Sequence, residues 1–156
     1  MKPGTYSQNY VHLIFAVKNR EASLTREIRP RIFAYMSGIV ASLNHKSIII
    51  NGMSDHVHIL MGLSPTVSIS DTVHDLKRSS SIFINKEKLC PGKFNWQEGY
   101  ASFTYSRSQI DRVFNYIKDQ ELHHAKANFK KEYILFLKKS GINYNERFIF
   151  DFWDNA

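Results

Sequence analysis

His56, Val57 and His58 place two imidazoles two positions apart in an otherwise apolar run, "HVHILMGL". Strand side chains alternate faces, so both rings leave the same side, with Val57, Ile59, Met61 and Leu63 on the other. Two imidazole nitrogens so placed lie within reach of one divalent ion. Alone, the pattern also fits two polar positions on a solvated sheet face. Tyr116 and Gln120 stand four residues apart in a segment of helical periodicity, so they are neighbours on one flank, which His123 continues. Taken together, two imidazoles and an amide oxygen hold a metal, and a phenol points at the phosphate that the metal binds. A phenol has a pKa of about 10 and attacks poorly near neutrality unless activated. A cation can polarise the phosphate, and this donor set leaves coordination positions open, unlike a closed structural zinc site.

The elements that must position these residues follow from periodicity. Residues 8–17 alternate, with Val11, Leu13, Phe15 and Val17 on one side and His12 on the other. Ile28, Ile32, Tyr35, Met36, Ile39 and Leu43 recur at helical spacing, and Pro30 suits an early helical position. "KSIIINGM" is a strand closed by Asn51-Gly52, a hairpin signal, with the histidine pair on the returning strand. A helix carries Ile69, Val73, Leu76 and Phe83, and "YASFTYS" is a short strand. Ser108 looks like the N-cap of one helix through His124, with Ile110, Val113, Phe114 and Ile117 as its buried stripe. A last helix, "FKKEYILFLKKS", stops at Gly141. The order β-α-β-β-α-β, then further helices, predicts an α+β, ferredoxin-like antiparallel sheet with helices on one face. The first and third strands then lie at the centre, and His12, His56 and His58 share the other, open face, a platform suited to single-stranded nucleic acid.

At 156 residues the chain is expected to form one domain over 1–156, and 43% hydrophobic content supports a real core. A net charge of +7 suits a polyanionic partner or a merely basic surface. The one cysteine, Cys90, excludes an intrachain disulfide and any site needing several thiolates, which points to a reducing, cytoplasmic compartment. No secretory signal or membrane span is visible. No Gly-x-x-x-x-Gly-Lys-Ser/Thr occurs, so a Walker-type nucleotide enzyme is unsupported.

"DHVHIL", the preceding "NGM", and "FNYIKDQELHH" resemble the single-tyrosine transposases of the HUH superfamily, found in bacterial insertion sequences, and the related REP-associated tyrosine transposases. The likeness runs from "YVHLIFAVKNR" through "WQEGYASFTYSRSQ" to "INYNERFIFD". It implies that Tyr116 attacks a phosphodiester of single-stranded DNA, leaving a 5′-phosphotyrosine and a free 3′-OH. His56, His58 and Gln120 would hold Mg²⁺ or Mn²⁺. It also implies a homodimer in which Tyr116 of one subunit completes the metal site of the other, and DNA hairpins near the cleavage sites as the recognised feature.

Around this set stand His12, Lys77, Arg78, Lys118 and His123 as candidate DNA contacts; each is also explained as a packed histidine or ordinary surface charge. Asp55 would point away from His56 in a regular strand, which favours a turn or supporting role. The aromatic tail "RFIFDFWDNA" is expected to dock on its own domain or on a partner subunit. A second function class stays open: a decayed or domesticated protein of the same fold that binds hairpins without cutting them. A larger replication initiator or relaxase with similar chemistry is disfavoured by size.

Overall fold

The computed structural model describes residues 3–124 and 128–145, without the side chains of Arg20, His123 and His124. Four strands form one antiparallel sheet: β1 (Tyr10–Ala16), β2 (Lys46–Gly52), β3 (His56–Gly62) and β4 (Ala101–Tyr105). Their order is β2-β3-β1-β4, so the first and third strands are central, as the ferredoxin-like reading requires. Helices α1 (Arg29–Ser42) and α2 (Ile69–Lys86) join the strands in the expected places. After β4 come α3 (Ile110–Lys118), α4 (Gln120–His124) and α5 (Phe129–Lys139).

The alternation of β1 and β3 divides the molecule into two layers. Val11, Leu13, Phe15, Val57, Ile59 and Met61 pack with Ile32, Met36 and Val40 of α1 and with Val73, Leu76 and Ile84 of α2. The opposite face is not open. Ile14, Ala16, Ala101 and Phe103 form a second core with Phe129, Tyr133 and Leu137 of α5. The apolar stripe of α5 has to be buried somewhere, and the alternate residues of the central strands give it that surface. The histidine face is therefore an interior, not an exposed platform for nucleic acid.

Local details depart from expectation in three places. Asn51 and Gly52 end β2, paired with His58 and Val57, and residues 53–55 make the turn. Gly52 is required there by proximity: a Cβ would lie 2.2 Å from the His56 carbonyl oxygen. The cap after β4 is Ser106, which forms a capping box with Gln109 around a 3₁₀ turn, rather than Ser108. The single helix expected after it breaks at Asp119, whose backbone leaves the helical region at φ −95°, ψ 28°. Of its apolar stripe, Ile117 is fully buried and Ile110, Val113 and Phe114 are partly so. The aromatic tail from residue 146 onward lies outside the described residues.

Candidate metal and nucleophile site

His56 and His58 project from β3 into the second layer, where neither is exposed to solvent. The break at Asp119 turns Gln120 inward, and its Oε1 lies 3.3 Å from His56 Nε2. Glu132 enters from α5, with Oε1 2.7 Å from His58 Nε2 and 3.9 Å from His56 Nε2. Ligand atoms of His56, His58 and Glu132 all lie within 4.8 Å of one another. These imidazole and carboxylate donors, with the amide oxygen of Gln120 beside them, fit a divalent ion. Among the described residues the Gln120 amide nitrogen, which is buried, has no hydrogen-bond partner, whereas the amide oxygen is turned to the histidine pair.

The neighbouring groups orient the pair. Asp55 Oδ1 lies 2.7 Å from His56 Nδ1, so Nδ1–H donates to the carboxylate and Nε2 faces Gln120 and Glu132. Asp55 precedes β3 rather than lying within it, which lets the side chain curl back to the adjacent ring. Phe129 of α5 stacks on the His56 ring, with centroids 3.8 Å apart. His12, behind His58, is fully buried and hydrogen-bonds to His58 and Tyr105, so it is no surface DNA contact. Burial first, then the nearby His58, holds the His12 pKa well below that of a free imidazole, with Glu132 opposing.

Tyr116 is half-buried, with its ring centroid 6.2 Å from that of His58. It hydrogen-bonds to Glu132, and the Gln120 amide lies beside it. Burial pushes its pKa far above the ordinary phenol value. The Glu132 charge and the hydrogen bond to Glu132 add to the rise, and the Gln120 amide opposes it. Tyr116 also lines a pocket of about 180 Å³ with Tyr105, Val113, Leu135 and Phe136, where Arg112 and Lys139 supply positive charge.

Two anchors hold this constellation together within one chain. Asn51 Nδ2 donates to the carbonyls of Ile117 (2.9 Å) and Lys118 (3.1 Å), capping the end of α3 beside β2. Arg26 and Arg29 both pair with Glu121 at 3.3 Å, tying α4 to the start of α1. Tyr116 and Gln120 thus lie beside the histidines of their own chain.

Of the proposed basic contacts, Lys77 and Arg78 lie away from the site. Lys77 donates to the carbonyls of Gln97 and Gly99, each at 2.7 Å, and its ammonium sits over Phe15 on the α1–α2 side of the sheet. Arg78 lines a groove there with Lys77, Trp96 and Tyr100. Lys118 is exposed at the end of α3, and the side chain of His123 lies outside the described residues.

Glu132 is the principal residue that the motif reading missed. One signal was available: it shares a helix face with Phe129 and Phe136, three residues before and four after, and a charge on an apolar face calls for a partner. Asn51 was read as a turn residue, and nothing in its local sequence points to the end of a helix far along the chain.

A ferredoxin-like sheet with paired histidines on a central strand, beside a Tyr-x-x-x-Gln segment that runs from α3 into α4, fits the arrangement that the resemblance to the single-tyrosine transposases implies. Residues 5–120 match the model of the IS200-like transposases, and the chain belongs to that family. It is 33% identical over 129 residues to the ISDra2 transposase TnpA of Deinococcus radiodurans, covering 77% of this chain and 91% of that protein. Two solved structures share the fold. A crystal structure described as a transposase candidate from Deinococcus radiodurans R1 superposes with a TM-score of 0.60 at 24% identity, covering 77% of this chain and 96% of the other. A REP-associated tyrosine transposase bound to a REP hairpin also gives 0.60, at 11% identity, covering 81% and 76%.

Proposed function

We propose that this transposase cleaves and rejoins single-stranded DNA through a covalent bond between Tyr116 and a 5′-phosphate. The observation that carries the reading is the meeting of Tyr116 and Gln120 with His56 and His58 in one buried site of a chain of this family. His56, His58 and Gln120 would hold Mg²⁺ or Mn²⁺, with Glu132 as a further oxygen donor. The bound ion would supply positive charge to the scissile phosphate.

In the forward step, Tyr116 Oη forms a bond to phosphorus while the bond from phosphorus to the 3′-oxygen breaks. The departing 3′-oxygen takes a proton from solvent and becomes the free 3′-OH. The Tyr116 proton passes to the Glu132 carboxylate, to which the hydroxyl already hydrogen-bonds. Rejoining reverses these transfers, with a 3′-OH attacking the phosphotyrosine, so the bond energy is conserved and no nucleotide cofactor is consumed. Arg112 and Lys139 beside Tyr116 suit the phosphates flanking the cut. Recognition of DNA hairpins is supported by the likeness to the hairpin-bound transposase. Two ends must be cut, so the working unit is proposed as a homodimer in which each protomer carries a complete site.

The test uses both single strands of the DNA flanking the gene, labelled at their 3′ ends, with protein and Mn²⁺ or EDTA. A metal-dependent adduct carrying the label and absent in Tyr116→Phe is expected. An undiminished adduct in that variant would move the nucleophile elsewhere. Tight hairpin binding with no adduct under any metal would instead favour the non-cutting binding protein.

A further inference from the structure

His12 and Tyr105 are buried or partly buried polar groups for which the strand-transfer chemistry above has no use. They lie in one line with His58. Tyr105 Oη is 3.0 Å from His12 Nδ1, and His12 Nε2 is 2.8 Å from His58 Nδ1. The sheet builds this line. His12 of β1 pairs with Leu60 of β3 and Phe103 of β4, so His58 and Tyr105 are its diagonal neighbours on the same face. Phe103 and Phe136 flank the His12 ring, with centroids 6.0 and 5.3 Å away. An apolar setting of this kind makes an unmade hydrogen bond costly, so each nitrogen of His12 has a role to fill.

Two proton arrangements satisfy the line, both with neutral rings. In one, Tyr105 donates to His12, His12 donates to His58, and His58 Nε2–H donates to Glu132. His58 then carries hydrogen on the nitrogen that faces the candidate metal site. In the other, His58 Nδ1–H donates to His12 Nε2 and His12 Nδ1–H donates to the Tyr105 oxygen. That arrangement alone leaves the His58 Nε2 lone pair free for a metal. Asp55 does the same for His56 with a single carboxylate. For His58 the partner at Nδ1 is instead the neutral histidine–tyrosine pair.

We propose that His12 and Tyr105 are positioning residues that hold His58 in its metal-binding tautomer and fix its ring orientation. The proposal rests on the metal-site reading above and deepens it. His12 acts on the ion only through His58, and Tyr105 only through His12, so the effect should weaken along the line.

The experiment measures Mn²⁺ affinity of the full-length, metal-stripped protein without DNA, from the electron paramagnetic resonance signal of the free ion. His12→Phe removes the acceptor for His58 Nδ1–H, and affinity is expected to fall by about 10–100-fold. His12→Gln keeps an acceptor oxygen near the same place and is expected to recover most of that loss. Tyr105→Phe is expected to weaken binding by a smaller factor. Long-range ¹⁵N–¹H spectra of the Zn²⁺-loaded parent should show hydrogen on His58 Nδ1. Thermal melts identify any variant that has not folded; if His12→Phe is one, the Gln variant and Tyr105→Phe decide. Parental affinity in folded His12→Phe would overturn the proposal, as would parental affinity in folded Tyr105→Phe where His12→Phe fails to fold. A Gln variant as weak as a folded Phe variant would assign His12 to packing and overturn it too. A parent that takes up no Mn²⁺ would overturn the metal reading itself, which separates the two failures.

Discussion

Glu132 Oε1 lies 2.7 Å from His58 Nε2, and the same side chain hydrogen-bonds to Tyr116, so one buried carboxylate touches both the candidate metal site and the candidate nucleophile. Glu132→Gln keeps the shape and removes the charge. Mn²⁺ affinity and adduct formation are each expected to fall by about 10–100-fold, the cost typical of losing a partner at a metal site. The Tyr116 pKa should move down, because the carboxylate charge and its hydrogen bond both raise it. Burial, the largest cause, remains, so the return to an ordinary phenol value is partial. Ultraviolet titration of the phenolate, differenced against Tyr116→Phe, checks the shift; an unchanged or higher value would contradict it.

Asn51 governs the same site from the other side of the sheet edge. Its amide holds two carbonyls at the end of α3, between Tyr116 and Gln120 in sequence. Asn51→Ala leaves both carbonyls without that donor, an expected stability loss of about 1–3 kcal/mol. Adduct formation should fall further than hairpin binding, because the metal donors of β3 stay in place while the nucleophile loosens. Denaturant unfolding and the adduct assay, run on the same preparations, separate the two effects. Equal loss of binding and cleavage would mean that Asn51 supports only the fold.

The parts legible in the sequence were those written in local periodicity. Strand alternation gave the shared face of His12, His56 and His58, and the order of elements gave the central position of β1 and β3. Four-residue spacing brought Tyr116 and Gln120 to one flank, although the helix breaks between them at Asp119. What local pattern does not encode is which long-range surface buries an amphipathic helix. The stripe on α5 could have been assigned to either sheet face, and with it went the position of Glu132 and the closure of the histidine face. The Asn51-Gly52 signal marked the hairpin but not its turn, for a related reason. Gly52 serves a close approach to the His56 carbonyl, and Asn51 serves a helix end contributed by residues much later in the chain.

Alkaline pH should weaken the fold through Tyr105 and Tyr133, two tyrosines of this layer. Burial raises Tyr105 and Tyr133 to about 12 each, whereas an unfolded phenol titrates near 10. Below pH about 10 both states hold these protons, and the stability associated with the neutral phenols is fully present. Between about 10 and about 12 the unfolded chain releases protons that the folded chain keeps, so stability declines with pH. Urea midpoints at about pH 9 and about pH 11.5 should differ less in the Tyr105→Phe/Tyr133→Phe double variant than in the parent. An equal decline in both proteins would assign the alkaline loss to other groups.

Complementation between two inactive variants tests which chain supplies the tyrosine. Asn51 fastens the end of α3 to β2 of the same chain, and Arg26 and Arg29 fasten Glu121 to the start of α1. Moving Tyr116 to a neighbouring subunit would break or exchange all of these contacts together. Tyr116→Phe and His56→Ala each spoil a different half of the site. With sites complete within one protomer, a mixed dimer of the two variants holds two defective sites, and no adduct is expected after confirmed subunit exchange. With sites shared between protomers, one intact pairing forms in each mixed dimer; about half of the dimers in an equimolar exchanged mixture are mixed, so adduct should return to about a quarter of the parental level. Such recovery would show that α3 crosses to the partner during catalysis. In that event Asn51→Ala, by releasing α3, should increase the recovered signal rather than reduce it.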